Sequence, residues 1–249
     1  MFNGHIEVKD KILPRMLLGS SPFIAAAQFG HRARLYQLDL YSQPENILKV
    51  IMKSSELGVE GIQLIPYPPV VEALNMAREE GCQFSILGTV RPGKEESDIE
   101  LLSSLEADAM LLHAAITDSC NWEVISRYLE LIGDNSSVPG LATHQPFRTT
   151  KKLLESPVLD LFNLYMIPLN KLGYLMDTDV FMEKERTELA ELIKKINKTV
   201  IVKKTLAAGI LTPKDAFNFL ETVDYTDMIT LGIAYENEAE ETFTLLGRK

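Results

Sequence analysis

Ionisable side chains recur directly after short β-rich runs of this 249-residue chain. The most reactive types are His113 after AMLL, His144 in GLATH, and the adjacent lysines Lys203 and Lys204 in TVIVKKTL. Histidine exchanges protons near neutral pH and can polarise a carbonyl group. A lysine whose pKa is lowered by desolvation and by a neighbouring cation can attack a carbonyl carbon and form a Schiff base. These residue types indicate carbonyl chemistry, provided that the fold brings them together.

Further polar residues at the ends of β-rich runs are candidates for binding a ligand. They are Ser20, Gln63, Tyr67, Arg91, Thr143 and Asn163. The small segment Leu206-Ala207-Ala208-Gly209 after the seventh run suits a phosphate site at a helix start. Arg91 could hold an anionic group of a substrate in a two-pronged hydrogen bond, or form a surface salt bridge. The two histidines could begin a zinc or iron site, which needs a third and a fourth ligand. No carboxylate stands at a strand end to supply them, so no metal site is predicted.

The elements that must position these residues alternate between strand and helix along the whole chain. The predicted strands are Met16–Gly19, Gly61–Ile65, FSILGTV, AMLLHAA, GLATH, LFNLYMI, TVIVKKTL and MITLGIA. The predicted helices are Glu45–Leu57, PPVVEALNMAREEG, Ser97–Leu105, Trp122–Ile132, Thr149–Glu155, Glu183–Ile196, one capped by Thr212, and one from about Asn237. No linker divides the units, which indicates a single domain over residues 1–249.

Eight strand–helix units in this length predict one closed (β/α)₈ TIM barrel. The N-terminal HIEVKDKILPR predicts a β-hairpin that closes the bottom of the barrel. An open doubly wound sheet is the alternative, but no strand–GxGxxG–helix stretch marks a dinucleotide fold. In such barrels the reactive groups lie at the carboxyl ends of the strands. Because neighbouring strand residues face opposite sides, Lys203 and Lys204 are not expected to point inward at one level.

The composition limits the partners. The chain has 25 basic and 35 acidic residues, for a net charge of −10, which disfavours a nucleic-acid partner. No apolar run is long enough for a membrane span, and no signal peptide is evident. Two cysteines without metal-site spacing are typical of a reduced, cytoplasmic protein. A small-molecule ligand is therefore expected, and the segment FIAAAQFGHRARLY is a candidate lid over the mouth or contact with a second copy in a homo-oligomer.

Several stretches, in their shared order, resemble the aldo-keto reductase superfamily. They are LPRMLLGSSPF after the hairpin, DAMLLHAAITD, GLATHQPFRTTKKLLES, LDLFNLYMIPLN, VKKTLAAGIL and ITLGIAYENEAEET. The resemblance covers most of the chain, and it implies the barrel fold with a pocket at the mouth. It also implies a histidine that polarises a substrate carbonyl, which matches His113, and a hydride supplied by NADPH.

The rest of that family's catalytic tetrad is not matched. Its aspartate falls near Gln63, its lysine near Val90, and its tyrosine near Pro68, one residue past Tyr67. The resemblance implies that Thr143, His144 and Asn163 meet a nicotinamide amide and that the ends of strands five to seven, with Lys203 and Gly209, hold the cofactor. In that family, basic residues of the last unit hold the 2′-phosphate of the cofactor. Here the corresponding segment YENEAEET is acidic.

Three functions remain open on this evidence. The first is an oxidoreductase that acts on a small carbonyl compound with a nicotinamide cofactor, in which His113 polarises the carbonyl and Tyr67 gives the proton. The second is a non-redox enzyme of the lyase, aldolase or isomerase type that uses Lys203 or Lys204, with Arg91 orienting the substrate. The third is a barrel that binds a small molecule without catalysis.

Overall fold

The structure is a computed structural model that describes residues 2–247. Its N-terminal segment is an antiparallel hairpin of β1 (His5–Val8) and β2 (Lys11–Pro14). Val8 and Leu13 of this hairpin pack into the apolar cluster that fills the barrel interior. The predicted hairpin is therefore confirmed, and its apolar residues close the amino end of the barrel.

Eight parallel strands follow the hairpin. They are β3 (Met16–Gly19), β4 (Gly61–Leu64), β5 (Ser85–Val90), β6 (Ala109–Leu112), β7 (Val138–Ala142), β8 (Leu164–Pro168), β9 (Thr199–Lys203) and β10 (Met228–Gly232). Each strand pairs with the next along the chain, and β10 pairs with β3, which closes the barrel. The predicted (β/α)₈ barrel is confirmed, and the alternative of an open sheet is wrong.

The helices surround this barrel. They are α1 (Arg32–Asp39), α2 (Pro44–Glu56), α3 (Pro68–Glu79), α4 (Glu95–Ser104), α5 (Ala114–Thr117), α6 (Trp122–Asp134), α7 (Pro146–Leu154), α8 (Glu183–Ile196), α9 (Pro213–Leu220) and α10 (Glu236–Gly247). Four of them, α2, α3, α7 and α9, have proline in their first turn, where a missing N–H costs nothing. The Thr212 hydroxyl caps α9 by accepting from Asp215 N at 3.2 Å. Within residues 2–247, no helix is long and apolar enough to cross a bilayer.

The strands are apolar on both faces, as is typical of a parallel sheet covered by helices. The inward residues form one cluster that includes Leu17, Leu87, Leu111, Leu164, Met166, Ile201 and Met228. The residues between them, such as Leu18 and Ile86, pack against the helices in a second, larger cluster. Because side chains alternate along a strand, Lys203 shares the inward face of Ile201.

One predicted strand lies further along the chain than its sequence pattern indicated. A 3₁₀ turn at Leu159–Leu161 includes the first residue of the run LFNLYMI, and β8 starts only at Leu164. Asn163 therefore lies at the amino end of the barrel, where its carbonyl accepts a hydrogen bond from Thr199 N at 3.0 Å. The prediction that Asn163 stands at the mouth is wrong, because an uninterrupted apolar run does not locate the start of its strand.

Candidate functional site

The carboxyl ends of the barrel strands surround a cavity of about 580 Å³. This volume lies in the range of small-molecule sites. Its wall contains the strand residues Gly19, Gln63, Thr89, Ala142, Met166, Lys203, Thr230 and Gly232, together with His113, His144, Lys204 and Thr205. No acidic side chain belongs to the wall among the described residues. The candidate ligand therefore meets histidine, lysine, amide and hydroxyl groups, and no carboxylate.

The segment between β3 and α1 completes the wall on one side. It makes two 3₁₀ turns, Ser21–Ile24 and Ala27–Phe29. Residues of both turns, including Ile24 and Phe29, line the cavity. The predicted lid segment thus lies at the mouth and adds apolar side chains to the wall of the cavity.

Lys203 and Lys204 both belong to the cavity wall. Lys203 ends β9 with its side chain on the inward face, whereas Lys204 has a left-handed backbone with φ of 59°. That conformation interrupts the alternation of the strand, so the second side chain reaches the same cavity. Asn170 holds the turn from β8, since its Nδ2 donates to the Lys204 carbonyl at 3.3 Å. The expectation that the two lysines cannot face inward together is wrong, because Lys204 is not extended.

The two amines differ in their protonation. Burial, followed by the charge of Lys204, lowers the pKa of Lys203 to about 7. Burial also lowers the pKa of Lys204, to about 8, and the carboxylate of Asp118 opposes this shift. At neutral pH a large share of Lys203 is therefore the neutral, nucleophilic amine, while Lys204 is mostly a cation.

His113 follows β6 and caps the short helix α5. Its Nδ1 accepts a hydrogen bond from Ala115 N at 3.1 Å. Burial, followed by the charge of Lys203, lowers the pKa of His113, so the ring is neutral at neutral pH. Because Nδ1 is the acceptor, the proton of the neutral ring is assigned to Nε2. His113 can therefore donate a hydrogen bond to a carbonyl oxygen.

His144 lies against His113 from the neighbouring strand end. The two ring centroids are 5.7 Å apart, and the rings are inclined by 75°. Burial, followed by the charges of Lys203 and Lys204, lowers the pKa of His144 to about 2. His144 is thus a neutral wall of the cavity across the physiological pH range. Within residues 2–247, no three His, Cys, Asp or Glu side chains are placed to share a metal ion.

Asp118 fixes the backbone that carries His144. Its Oδ2 accepts from His144 N at 2.9 Å, and its Oδ1 accepts from the hydroxyls of Thr143 and of Thr149, the latter at 2.7 Å. Its charge also opposes the lowering of the pKa of Lys203 and of Lys204. Asp118 is therefore a positioning residue that was not among the predicted site residues.

Replacing Asp118 with asparagine tests this role. An amide nitrogen cannot accept the hydrogen bond from His144 N, so we expect a loss of about 1–3 kcal/mol in the free energy of unfolding. The loss of the negative charge also lowers the pKa of Lys203 further, so the amine becomes reactive at lower pH. Competitive acetylation read by mass spectrometry across a pH series measures this shift. An unchanged or upward shift would contradict the assigned role.

Gln63 and Ser20 lie at the ends of β4 and β3. Gln63 Nε2 donates to Thr89 Oγ1 at 2.6 Å, and both side chains line the cavity. The Ser20 hydroxyl is fully buried and accepts from Ile65 N at 2.8 Å. The amide oxygen of Gln63 is thus available to a ligand, whereas Ser20 links β3 to the loop after β4.

Arg91 and Tyr67 do not line the cavity. The guanidinium of Arg91 donates to Asp98 from Nε at 2.8 Å and from Nη2 at 2.7 Å, and it lies 4.7 Å from the centre of the Tyr67 ring. Asp98 is buried, and Arg91 instead borders a separate surface groove with Pro68. Tyr67, the predicted proton donor, and Arg91, the predicted anion-binding residue, therefore contact each other but lie away from His113.

Three of the five predicted cofactor residues lie outside the cavity wall: Thr143, Gly209 and Asn163, the last of which is at the amino end of the barrel. The Thr143 hydroxyl donates to Asp118 Oδ1 and accepts from Gln145 N at 2.8 Å, so it is already committed within the protein. Gly209 has φ of 85°, and a Cβ there would lie 2.2 Å from Arg32 Nη1. Of the predicted cofactor positions, only His144 and Lys203 face the cavity.

Thr89, Thr205 and Thr230 line the cavity although they were not predicted as site residues. Strand alternation could have found Thr230, because it lies two residues before Gly232 and shares its face. The signal for Thr89 is its position two residues after the inward Leu87. No comparable signal exists for Thr205, which follows the left-handed turn at Lys204.

Comparison with known proteins identifies the fold. No family model and no curated protein matches the sequence. Among solved structures, a Pseudomonas aeruginosa protein assigned to the aldo-keto reductases is 16% identical, with a TM-score of 0.66 over 100% of this chain and 96% of that one. An aldo/keto reductase from Brucella melitensis is 12% identical, with a TM-score of 0.59 over 96% and 91%. The chain therefore has the fold of the aldo-keto reductases, at a distant level of sequence similarity.

Two further similar structures show different chemistry on this fold. An aldo-keto reductase solved in complex with NADPH is 11% identical, with a TM-score of 0.57 over 97% of this chain and 82% of that one. A tryptophan synthase α-subunit from Pyrococcus furiosus is also 11% identical, with a TM-score of 0.52 over 80% and 92%. Similar (β/α)₈ barrels can carry different reactions, so the cavity side chains must decide the function.

Proposed function

We propose that this barrel binds a small carbonyl compound at its mouth and forms a Schiff base with it through Lys203, as an enzyme of the lyase or aldolase type. The observation that carries the proposal is the inward position of Lys203 beside Lys204, in a wall without described carboxylates. A second cation and a desolvated setting are the conditions under which a lysine amine becomes nucleophilic at neutral pH.

The proposed step balances without a cofactor. The neutral amine of Lys203 attacks the carbonyl carbon, which forms a C–N bond and turns the carbonyl oxygen into a hydroxyl. Loss of that hydroxyl as water, with uptake of one proton, leaves a protonated imine. The positive nitrogen then accepts the electron pair of a C–H or C–C bond at the adjacent carbon. The proton released, either from that carbon or from the hydroxyl of a fragment that leaves as a carbonyl compound, passes to the amine of Lys204, which is neutral after it has protonated the departing water. Return of a proton to the enamine carbon and addition of water to the imine release the product and restore the free amine of Lys203. The first attack is favoured because burial keeps the amine of Lys203 largely neutral beforehand.

The histidines and Lys204 have distinct parts in this step. The Nε2–H of His113 donates to the carbonyl oxygen and stabilises the negative charge that develops there. Lys204, which is mostly protonated, can supply the proton that leaves with water. His144 stays neutral, because burial and the two lysines lower its pKa to about 2, so it shapes the cavity without taking up a proton.

Trapping with borohydride tests the proposal directly. The protein is incubated with pyruvate or with propanal, and the imine is reduced to a stable secondary amine. We expect one mass adduct, mapped to Lys203 by peptide mass spectrometry. Pyruvate is a ketone with a carboxylate beside its carbonyl group, and propanal is a neutral, more reactive aldehyde that tests whether any imine can form at the site. No adduct at Lys203 with either compound, or equal labelling of surface lysines, would exclude Schiff-base formation at this site.

The pH dependence of Lys203 provides an independent check. Burial and Lys204 lower its pKa to about 7, so its neutral fraction increases as pH rises through that value. Competitive acetylation of Lys203 should therefore reach half of its maximal rate near pH 7. Exposed lysines, with an ordinary pKa of about 10.4, stay largely protonated in the same range. A half-maximum for Lys203 close to that of exposed lysines would contradict the proposed nucleophile.

A second candidate is the reduction of a carbonyl compound with a nicotinamide cofactor. It is favoured by the likeness to a solved aldo-keto reductase that holds NADPH. In barrels, a phosphate site commonly forms at the loops after the last two strands. Here α10, which follows β10, has Glu236 and Glu238 in its first turn, and Glu238 accepts from Ala234 N at 2.9 Å. These carboxylates do not fit the 2′-phosphate of NADPH, and the Schiff-base reaction needs no hydride donor.

Thermal shift measurements with NADPH and NADH separate the two candidates. A saturable rise in melting temperature with either cofactor, together with no trapped adduct, would replace the Schiff-base proposal by the redox one. We expect no rise with NADPH, because the acidic first turn of α10 repels its phosphate.

A further inference from the structure

Two buried hydroxyl groups at the cavity have no hydrogen-bond partner. They belong to Thr205, which is 2% exposed, and to Thr230, which is 6% exposed. Among the described residues these are the only buried side-chain polar atoms without a partner. A buried hydroxyl without a partner in the protein is destabilising unless another molecule supplies one, and such atoms are rare. Both side chains line the same cavity, which indicates that a bound ligand supplies their missing hydrogen-bond partners.

The backbone around these hydroxyls leaves room for such a group. Gly19 on the neighbouring strand β3 has no side chain, and a Cβ there would lie 2.9 Å from Thr230 Oγ1. At Gly232, by contrast, a Cβ would lie 3.2 Å from the Pro22 ring, so the loop after β3 covers this end of β10. Any larger residue at position 19 would crowd the Thr230 hydroxyl, so glycine keeps this side of the cavity open.

The charge of the same side of the cavity is positive. Lys204 directly precedes Thr205, and both line the cavity. The nearby carboxylate of Asp118 is already bonded to Thr143, Thr149 and the His144 backbone. A hydroxyl can donate one hydrogen bond, and an ammonium group can donate three. Donors with positive charge and no competing carboxylate are the groups that bind an oxyanion.

We propose that Thr205, Thr230 and Lys204 form a subsite for the oxyanion of the ligand, so that the substrate is a small carbonyl compound carrying a carboxylate or a phosphate. This inference rests on the proposed function for the carbonyl part only. The subsite itself requires an anion near Lys204 and no covalent chemistry.

The binding test uses probes that cannot form a Schiff base. Lactate carries a carboxylate without a carbonyl group, inorganic phosphate carries only the oxyanion, and propane-1,2-diol is a neutral control. We expect calorimetric binding of lactate or of phosphate at millimolar concentrations, and none of the diol. Binding of lactate alone assigns a carboxylate substrate, and binding of phosphate alone assigns a phosphorylated one. No binding of either anion, or equal binding of the diol, would overturn the subsite.

The variants Thr205→Val and Thr230→Val distinguish a ligand role from a structural one. Valine keeps the shape of threonine and removes the unpartnered hydroxyl, so each variant should melt at the wild-type temperature or a few degrees higher. Each should weaken binding of the anion about tenfold, since one hydrogen bond to a charged group is lost. Thr187→Val, on the exposed face of α8, is the matched control and should change neither affinity nor the cavity.

The outcomes separate this inference from the proposed function. Anion binding that the two valine variants weaken supports the subsite even when no Schiff base is trapped. A trapped pyruvate adduct whose yield is unchanged in both valine variants supports Lys203 and overturns the subsite. Variants that melt at lower temperature with unchanged affinity would assign the two hydroxyls to the structure of the barrel.

Discussion

Replacement of Lys203 with methionine should abolish the borohydride-trapped adduct and reduce turnover of a carbonyl substrate by on the order of 10³-fold or more. Methionine has a similar length but no amine, so the cavity keeps its shape and loses its nucleophile. Because burial lowers the pKa of Lys203 to about 7, the unfolded chain binds the proton more readily, and the folded state loses stability as pH falls from about 10.4 to about 7. The variant should therefore be at least as stable as the wild type.

Lys204→Met is the matched control for this prediction. It removes the neighbouring cation that helps to lower the pKa of Lys203. The adduct should persist on Lys203, but its formation should require a higher pH, because the ammonium form of Lys203 is no longer repelled. If Lys203→Met retains the adduct while Lys204→Met loses it, then Lys204 is the nucleophile. If both variants keep full activity, then neither lysine forms a covalent intermediate.

The replacement of Asp98 with alanine should produce the largest loss of stability. The side chain of Asp98 is 2% exposed, and its carboxylate accepts from Arg91 N, Nε and Nη2 at 2.7–2.8 Å. Removing one partner of a buried, hydrogen-bonded ion pair leaves the other charge poorly solvated. We expect the free energy of unfolding to fall by about 3–5 kcal/mol, as measured by urea denaturation.

A double variant separates stability from ligand binding at this pair. Asp98→Ala combined with Arg91→Met leaves no unpaired charge, so part of the lost stability should return. Arg91→Met alone should leave lactate or phosphate binding at the mouth unchanged, because Arg91 does not line that cavity. A loss below about 1 kcal/mol in Asp98→Ala would indicate a pair that behaves as solvent-exposed. A loss of anion binding in Arg91→Met would show that Arg91 binds the substrate anion after all.

The architecture followed from the sequence because its signals are local and repeated. Eight β-rich runs separated by helical periodicity leave few ways to bury both faces of each strand. Proline and threonine at helix starts, as in Thr212 and Pro213, fixed several boundaries without any tertiary contact. The resemblance to aldo-keto reductases lay in the order of weak motifs, and the solved structures with that fold agree with it.

The residues of the candidate site could be predicted only in part from the sequence. His113, His144, Gln63 and Lys203 were found because they end inward strand faces, which alternation predicts. Arg91 and Tyr67 have equally suggestive residue types, but they face one another and Asp98 outside the cavity. The direction of a side chain in a loop after a strand depends on contacts that are distant in sequence, and a pattern cannot supply them.

The sequence by itself determined a closed barrel with a hairpin at its amino end and a set of reactive groups at its carboxyl rim. Only the tertiary structure decided which of these groups meet. The left-handed turn at Lys204 brings two lysines into one cavity, and the shift of β8 places Asn163 at the opposite end. The physical reason is that periodicity fixes which face of an element is buried, whereas desolvation, charge pairing and unpartnered hydroxyls arise only where separate elements come into contact.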